Sequence, residues 1–551
     1  MENTLYYGDN LDILKRYIPD ESVDLVYLDP PFNSNQNYNV LFKEKNGSQA
    51  ASQIRAFEDT WTWGQDDEAI YADLVTKGGR VADCLQAFRT FMGPCDMLAY
   101  LVMMAPRLAE LRRVMKKSGS IFLHCDSAAS HYLKMLMDSI FGPANFKNDI
   151  VWKRKTGSSS YVHQSNKFGV CTDNLLFYTK TNHAELHPQY SFDAVGYKEY
   201  IEKFFKHTDK DGRIFRIDNL ANPAPRPNLM YEYKGFKPPA NGWAISLEKM
   251  TQWDKEGRLY FPKNKNGRIQ RKRFLDELKG KPVQNLWDDI LPVGSQAVER
   301  LGYPTQKPEV LLERIIKAGS NEGDLVLDPF CGCGTTVAAA QKLKRRWIGI
   351  DITHLAITLM KKRLLDAFGT EAKFNVMGEP TSLPDAAALA ESDPYQFQWW
   401  ALGLVGARPV EQKKGADQGI DGKIVFQGDA PGIFENVVIS VKAGHVTANH
   451  VRDLRGVVDR EKAAIGVLIS MGEPTKPMQT EAVTAGFFES KTWGKKYPKV
   501  QLLTIAELLA GKKIDMPPVK QVGATFKKAE RFSGDKSEQY ELIKVKDQQR
   551  E

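Results

Sequence analysis

The chain has 551 residues, of which 42% are hydrophobic and 26% charged, the make-up of a globular protein with roughly two to four domains. This length and composition exclude a single small module and a globally disordered chain. The N-terminus lacks a signal-peptide pattern, no apolar run is long enough to span a membrane, and six cysteines are too few for a disulfide framework, so a cytoplasmic location and no membrane partner are expected.

The net charge of +8 is distributed unevenly along the chain. Residues 151–300 carry 26 basic and 17 acidic residues, an excess of +9, whereas residues 1–150 sum to −5. A basic segment is often only a solvated surface, but it is also what an anionic partner requires. The middle of the chain is therefore the candidate contact region for such a partner.

Apolar runs that end in an aspartate recur near both ends of the first 400 residues, and a helical pattern follows each of them. The four aspartates that follow such runs are Asp9, Asp29, Asp328 and Asp351. Strands that alternate with helices predict an α/β fold with a doubly wound, mostly parallel sheet. Because ligands bind at the carboxyl ends of such strands, residues about 300 positions apart are expected to build one site.

The first motif is Asp29-Pro30-Pro31-Phe32, directly after an apolar strand. The two prolines fix the backbone and remove two N–H donors, which leaves carbonyl acceptors beside a carboxylate. A carboxylate, a rigid carbonyl and an aromatic ring suit a flat group with an exocyclic NH₂, which would donate to the acceptors and stack on Phe32. A plain turn at the strand end is the alternative for this motif taken alone.

Residues 155–300 lose the strand and helix rhythm and become rich in Pro, Asn, Lys and aromatic residues, which indicates an inserted, loop-rich domain. Residues 377–394 are rich in Pro, Ala and Asp and read as a linker. A second α/β domain is expected over residues 395–515, followed by a polar tail over residues 516–551. The first domain then comprises residues 1–154 and 301–376.

The second motif is a glycine-rich loop that runs from Asp328 to Thr336, between a strand and a helix. Such a loop allows close approach of a ligand to the backbone, and Asp351 at the end of the next strand is placed to accept from ribose hydroxyls. The dinucleotide fingerprint of dehydrogenases is incomplete because Val337 takes the place of its third glycine. A metal site at Cys331 and Cys333 is disfavoured because no second pair has zinc-site spacing.

In this order the motifs resemble the β group of amino-group DNA methyltransferases, a permuted group in which the catalytic motif precedes the cofactor loop. The similarity includes residues 303–308, 119–126 and 148–154 and covers most of residues 1–376. It implies a permuted Rossmann-like methyltransferase fold, S-adenosylmethionine as cofactor, and Asp29, Pro30, Pro31 and Phe32 as catalytic residues. The acid-first motif points to adenine N6, with cytosine N4 as the alternative.

The resemblance also assigns cofactor contacts. Asp328 would bind the amino group of S-adenosylmethionine, Asp351 the ribose hydroxyls and Asp9 the adenine edge. Further contacts would come from the loop and from the segment before it: Phe330, Gly332, Gly334, Thr335, Thr305 and Lys307. The hydrogen bonds of Asp29 and the Pro30 carbonyl would prepare the amine for in-line methyl transfer, on a base flipped out of the duplex.

This interpretation gives the basic insert a role in binding double-stranded DNA as the target-recognition domain. The candidate DNA-binding residues are Lys153, Arg154, Lys155, Arg268, Arg271, Lys272 and Arg273. Which of them read bases is left open, because phosphate contacts carry no sequence information. A homodimer is also left open.

The C-terminal unit resembles the Mrr-like branch of restriction endonucleases in residues 415–422 and 438–442. By that resemblance Asp421 is a candidate Mg²⁺ ligand and Lys442 the lysine that stabilises the attacking water or the phosphate. Ser440 occupies the place of the usual Glu or Gln two residues before the lysine. Two hypotheses follow: a methyltransferase whose C-terminal unit only aids DNA engagement, or a bifunctional restriction-modification enzyme that also cuts DNA.

Overall fold

The structure is a computed structural model. It describes residues 1–31, 63–154, 169–184, 186–192, 194, 196–264, 266–294, 297, 299–301, 303, 306–410, 419–430, 433–517, 529 and 532. The chain forms two compact units, a main unit of residues 1–187 and 290–551 and an inserted unit of residues 188–289.

Helices and strands alternate along much of the chain. The first part of the main unit contains β1 (Thr4–Tyr7), α1 (Asn10–Tyr17), β2 (Val23–Leu28), α2 (Gln65–Lys77), α3 (Arg80–Met92), α4 (Asp96–Val114), β3 (Met115–Cys125), α5 (Ser130–Phe141), β4 (Phe146–Lys153) and β5 (Thr172–Thr179). The inserted unit contains β6 (Tyr190–Ser191), α6 (Tyr197–Phe204), β7 (His207–Thr208), β8 (Ile214–Asn219), α7 (Leu247–Lys255), β9 (Leu259–Tyr260), β10 (Gln270–Phe274), β11 (Lys281–Pro282) and β12 (Leu286–Trp287).

The main unit resumes with α8 (Glu309–Gly319), β13 (Leu325–Asp328), α9 (Thr335–Lys342), β14 (Arg346–Asp351), α10 (His354–Phe368) and β15 (Asn375–Met377). Its C-terminal part contains α11 (Leu383–Ser392), α12 (Pro394–Leu404), β16 (Arg408–Pro409), β17 (Gly422–Gln427), β18 (Phe434–Lys442), α13 (Ala448–Arg460), β19 (Ile465–Ser470), α14 (Lys476–Thr484), β20 (Phe487–Ser490), β21 (Lys495–Pro498), β22 (Val500–Thr504) and α15 (Ile505–Leu509).

A large mixed sheet organises the main unit, with its strands in the order β4-β5-β3-β2-β13-β14-β1-β15. Every neighbouring pair from β3 to β15 is parallel, whereas β5 runs antiparallel to both β3 and β4. The prediction of a mostly parallel sheet is therefore confirmed. Strands β13 and β14 lie between β2 and β1, although the chain reaches them about 300 residues later.

Successive side chains along the buried strands point to opposite faces of this sheet. On β2, Val26 and Leu28 enter the core that α1 to α5 cover. Leu25 faces the end of α8, where a Cβ added to Gly319 would lie 3.0 Å from Leu25 Cδ1 and 2.8 Å from Ser120 Oγ. Helices therefore cover both faces, as a doubly wound sheet requires.

The inserted unit is smaller than the range 155–300 that composition indicated. Residues 172–179 form β5, which pairs with β3 and β4 and so belongs to the main sheet. The inserted unit itself contains a four-stranded sheet in the order β7-β8-β10-β9 and a two-stranded β6 and β11 pair. Its core gathers around the fully buried Trp243, with Phe236 and Met250 packed beside it.

The C-terminal part of the main unit, from α11 to α15 and called the C-terminal domain below, folds around a five-stranded sheet in the order β16-β17-β18-β19-β22. The segment expected to be a linker is not irregular throughout, because α11 lies within it and Ser382 caps that helix by accepting from Asp385 N. Ala386 and Leu389 of α11 enter the same core as Trp400 of α12. Within the described ranges, no helix combines the length and apolarity needed to cross a membrane.

Candidate active site

Four aspartates lie along one edge of the main sheet. Strands β2, β13, β14 and β1 are parallel neighbours in that order, so their carboxyl ends share an edge. Asp29 follows β2, Asp328 ends β13, Asp351 ends β14, and Asp9 follows β1 after one glycine. The fold thus aligns acids that come from the two ends of the catalytic-domain sequence.

A lysine engages the first of these acids. Lys307 Nζ lies 2.5 Å from Asp29 Oδ2, and the two side chains are only 15% and 17% exposed. Pro30 is buried next to Asp29, and Pro31 is half-buried. The ion pair orients the carboxylate through Oδ2, so Oδ1 retains lone pairs for a donor. Phe32 and Thr305, two of the predicted contacts, lie outside the described residues.

Asp328 is buried beneath the loop that follows β13. Thr336 Oγ1 donates to its Oδ2 over 2.5 Å, and Phe330 N donates to its Oδ1 over 3.0 Å. Burial raises the pKa of Asp328 to about 7, although these two hydrogen bonds favour the ionised form. A buried carboxyl of this kind is readily ionised by an adjacent cation.

The loop glycines are constrained by their own neighbours. Gly332 and Gly334 have φ values of +50° and +74°, in the left-handed region that glycine occupies most easily. A Cβ at Gly334 would lie 2.5 Å from Met360 Cγ, so packing against α10 also requires glycine there. Thr335, a predicted cofactor contact, is buried, and its hydroxyl accepts from Arg363 Nη1 over 3.0 Å.

Asp351 is fixed at the end of β14 by three donors. Thr353 N and Thr353 Oγ1 each donate to Oδ1 over 2.9 Å, and Gly332 N donates to Oδ2 over 2.9 Å. Burial raises the pKa of Asp351 to about 6, although these hydrogen bonds lower it. Because a carboxylate oxygen accepts about two hydrogen bonds, Oδ2 can still accept a ligand hydroxyl.

A small cleft opens beside the ends of β1 and β14 and the loop after β13. Its lining residues are Gly8, Asp9, Asn10, Arg107, Pro329, Phe330, Asp351 and Ile352. Three predicted cofactor contacts, Asp9, Phe330 and Asp351, therefore meet at one cavity. The combination of an aromatic ring, backbone groups and carboxylates suits a ligand with both a flat apolar part and hydroxyl groups.

Sequence reasoning missed two polar residues of this cleft. Arg107 Nη2 lies 2.6 Å from Asp9 Oδ2, and Arg107 Nε donates to Asn10 Oδ1 over 2.7 Å. Asn10 in turn donates to the carbonyl of Pro329 over 2.8 Å, which ties α1 to the loop after β13. Asp9 also caps α1 by accepting from Leu11 N, so most of its acceptor capacity is used within the protein.

A buried polar chain leads to the strand that precedes Asp29. Tyr27 Oη is 3.0 Å from His124 Nδ1, and His124 Nε2 is 3.2 Å from Asp173 Oδ2. The other oxygen of Asp173 is 3.0 Å from Arg154 Nε. Arg154, a predicted DNA contact, is thus connected through three side chains to β2, the strand that leads into Asp29.

The predicted basic residues of the inserted unit are largely engaged within that unit. Lys272 is 3.0 Å from Asp209, Arg273 forms an ion pair with Asp218, and Arg271 lies over the ring of Trp253 at 4.4 Å. Arg268 is exposed, as is Lys153 in the main unit, while Lys155 lies outside the described residues. The phosphate-binding charge expected from the sequence is therefore partly neutralised in place.

In the part of the C-terminal motif that the structure describes, Asp421 does not have the surroundings of a Mg²⁺ ligand. Asp421 Oδ2 accepts from Val441 N over 2.7 Å and from Ser440 Oγ over 3.2 Å, and Lys442 Nζ lies 3.8 Å away. Donors therefore surround Oδ2, and Ser440 stands beside it where a second acidic ligand is expected. Among the described residues, no group of three or more His, Cys, Asp or Glu is arranged to hold a metal ion.

Two family models match this chain. Residues 23–362 match a model described as DNA methylase, and residues 396–510 match one described as NACHT-associated inactive Restriction Endonuclease 1. The second match supports the predicted endonuclease-like domain. Its description as inactive agrees with the donors around Asp421, so the Mg²⁺ assignment of Asp421 is not supported.

Curated relatives cover the same region. The type II methyltransferase M.EcaI of Enterobacter cloacae is 29% identical over 66% of this chain and 69% of its own length. The StyLTI Mod subunit, a type III restriction-modification enzyme of Salmonella typhimurium, is 28% identical over 68% of this chain but only 55% of its own length. The DNA adenine methyltransferase YhdJ of Escherichia coli is 26% identical over 71% of this chain and 93% of its own length.

Proposed function

Because this chain belongs to the DNA methylase family, whose model matches residues 23–362, we propose that it methylates adenine N6 in duplex DNA with S-adenosylmethionine as methyl donor. The observation that carries the proposal is the alignment of Asp29, Asp328 and Asp351 at the carboxyl ends of three neighbouring parallel strands, with Asp351 lining a cleft at that edge. The acid-first form of the Asp29 motif favours adenine, and cytosine N4 is the second candidate.

The residues at this edge fit S-adenosylmethionine in chemical character. Asp351 Oδ2 has capacity to accept from ribose hydroxyls, and Phe330 offers an aromatic surface in the same cleft. Asp328, whose pKa burial raises to about 7, is suited to a nearby ammonium group. Asp9 is a weaker candidate for the adenine edge because Arg107 and the α1 backbone already use its oxygens. When bound, S-adenosylmethionine supplies a methyl group activated by a sulfonium centre.

Asp29 and Pro30 prepare the target amine. The lone pair of an adenine amine is delocalised into the ring, so the nitrogen is a poor nucleophile. Hydrogen bonds from its two N–H groups to Asp29 Oδ1 and the Pro30 carbonyl would draw it towards tetrahedral geometry. Lys307 orients Asp29 through Oδ2, so the carboxylate is held in place before the base arrives, which lowers the entropic cost of reaching the reactive geometry.

The target base must leave the helix to reach this edge. Extrusion costs a few kcal/mol, which stacking on Phe32 would partly offset. Of the predicted DNA contacts, Lys153 and Arg268 are the exposed ones best suited to bind phosphates, because Arg154, Lys272 and Arg273 already have acidic partners. We assign the C-terminal domain a role in engaging DNA without cutting it.

A methyl-transfer assay tests this function. Wild type should transfer labelled methyl groups from S-adenosylmethionine to duplex DNA, and Asp29→Ala should be slower by at least about 100-fold, as for loss of a group that acts in the transition state. Asp73→Ala, on the exposed face of α2, is the control for loss of one carboxylate. Equal, background incorporation by wild type and Asp29→Ala would contradict the proposal.

The identity of the base is read from the products. Digestion of the methylated DNA to nucleosides and mass spectrometry should give N6-methyladenine. N4-methylcytosine instead would replace adenine by cytosine as the target and leave the rest of the proposal intact. Sequencing of the same DNA for modified bases would give the recognition sequence.

A further inference from the structure

We propose that the C-terminal domain completes the cofactor site, with Gln396 as a positioning residue that holds the turn after Asp351 and so sets the affinity for the methyl donor. The inference rests on the proposed function, because it assumes that Asp351 binds the ribose. By this inference, the endonuclease-like domain supports binding of the methyl donor and does not cut DNA.

The orientation of Asp351 depends on the turn that follows it. Thr353 donates twice to Asp351 Oδ1, once from its backbone and once from its hydroxyl. The same hydroxyl caps α10 by accepting from Ala356 N over 3.2 Å. Any shift of the first turn of α10 therefore moves the donors that orient this carboxylate.

Gln396 of α12 holds that first turn. His354 N, one of the backbone donors that a helix start leaves without an intrahelical acceptor, donates to Gln396 Oε1 over 3.1 Å in a buried setting. Gln396 is itself fixed, because its backbone N–H donates to the N-cap Asp393 Oδ1 over 3.0 Å. The acceptor for His354 N is thus a buried side chain on the capped first turn of α12.

The same turn also contacts the first strand. The His354 ring is fully buried and stacks on Tyr7, with ring centroids 3.6 Å apart and an interplanar angle of 18°. Gly8 N also donates to the Asp351 carbonyl over 3.0 Å. The end of β1 and Gln396 of α12 therefore both hold the turn that follows Asp351.

The helices α10 and α12 approach closely beyond this hydrogen bond. A Cβ added to Gly403 would lie 2.7 Å from Thr358 Oγ1, so a larger residue would displace Thr358 where the two helices meet. Leu355, next to His354 on α10, packs against the core of the C-terminal domain. The C-terminal domain is therefore packed against α10, the helix that begins at the turn after Asp351.

Loss of the Gln396 acceptor should weaken the binding of S-adenosylmethionine without slowing methyl transfer. Gln396→Met keeps the side-chain volume but removes the acceptor, so KM and Kd for S-adenosylmethionine should rise by about 10-fold, as for one buried hydrogen bond. The kcat at saturating cofactor and the KM for DNA should stay at wild-type values. Gln396→Glu, which keeps an acceptor oxygen, should recover most of the affinity.

The test uses the full chain, with cofactor binding measured by calorimetry and methyl transfer by labelled incorporation. Gln398→Met, on the same helix, is the matched control and should bind as wild type. Gly403→Ala adds one methyl group between α10 and α12 and should raise the Kd for S-adenosylmethionine by less than Gln396→Met does. It replaces Gln396→Met in the test if that variant does not fold. Wild-type affinity in folded Gln396→Met, or a fall in kcat with unchanged cofactor KM, overturns the inference; no cofactor binding by wild type overturns the proposed function instead.

Discussion

Replacing Asp328 by asparagine should stabilise the free protein at pH 8 while removing its affinity for S-adenosylmethionine. Burial raises the pKa of Asp328 from its ordinary value of 3.8 to about 7. At about 1.4 kcal/mol per pKa unit, the ionised side chain costs about 4 kcal/mol at pH 8. Asparagine can still accept from Phe330 N, and its amide can donate to Thr336 Oγ1, so the charge is the main thing lost.

The pH dependence of this difference has a definite sign. Below about pH 4 the carboxyl is protonated in both the folded and the unfolded wild type, so the difference between wild type and Asp328→Asn should be small. Between about pH 4 and 7 the unfolded chain has released its proton while the folded wild type still holds it, so the folded wild type loses stability relative to the variant as the pH rises. Above the folded-state pKa the advantage of the variant should be constant.

The assay is unfolding by heat or urea at several pH values between 5 and 8. Because a chain with several domains does not unfold in one step, the relevant transition is the one that S-adenosylmethionine shifts in wild type. Asp73→Asn, with a side chain 61% exposed, is the control and should show no comparable gain. An advantage that does not change with pH, or a variant less stable than wild type at pH 8, would refute the reasoning from burial.

Three further predictions concern the site and the C-terminal domain. Affinity for S-adenosylmethionine should rise about 10-fold between pH 6 and 8, because burial raises the pKa of Asp328 to about 7 and the ionised form must hold a cation; a flat calorimetric profile would contradict this. Lys307→Met should slow single-turnover methyl transfer by about 10-fold or more, because Asp29 loses the partner that orients it, and an unchanged rate would show that the ion pair is dispensable. Wild type should not nick supercoiled plasmid DNA in Mg²⁺, and Mg²⁺-dependent nicking that disappears in Lys442→Ala would show that the C-terminal domain does cut DNA. Asp421→Ala should lose about 1–3 kcal/mol of folding stability, because Val441 N is left without an acceptor.

The edge of the sheet was predictable from sequence because parallel strands bring their carboxyl ends together. The four strand-end aspartates could be found by pattern alone, although they come from distant segments. Arg107 could not, because no local pattern distinguishes it from Arg112 and Arg113 on the same helix, α4. Its pairing with Asp9 depends on how α4 packs beside α1, which no local pattern records.

Charge counting also has a physical limit. The +9 excess of residues 151–300 is real, yet Lys272 and Arg273 are paired with Asp209 and Asp218. Asp218 lies on β8, which runs antiparallel to β10, so the pairing follows from strand register and not from sequence spacing. Gly334 shows the same limit, since its neighbour Met360 belongs to a helix that begins 20 residues later.

The position of β13 and β14 between β2 and β1 has a consequence for synthesis of the protein. A ribosome adding about 5 to 20 residues per second needs about 15 to 60 s to pass from β2 to β14. Until then, the inner edges of β1 and β2 have no native partner strand, and unpaired strand edges promote aggregation. We therefore expect the nascent chain to depend on chaperones during this interval, and the centre of the sheet, with its line of aspartates, to assemble last.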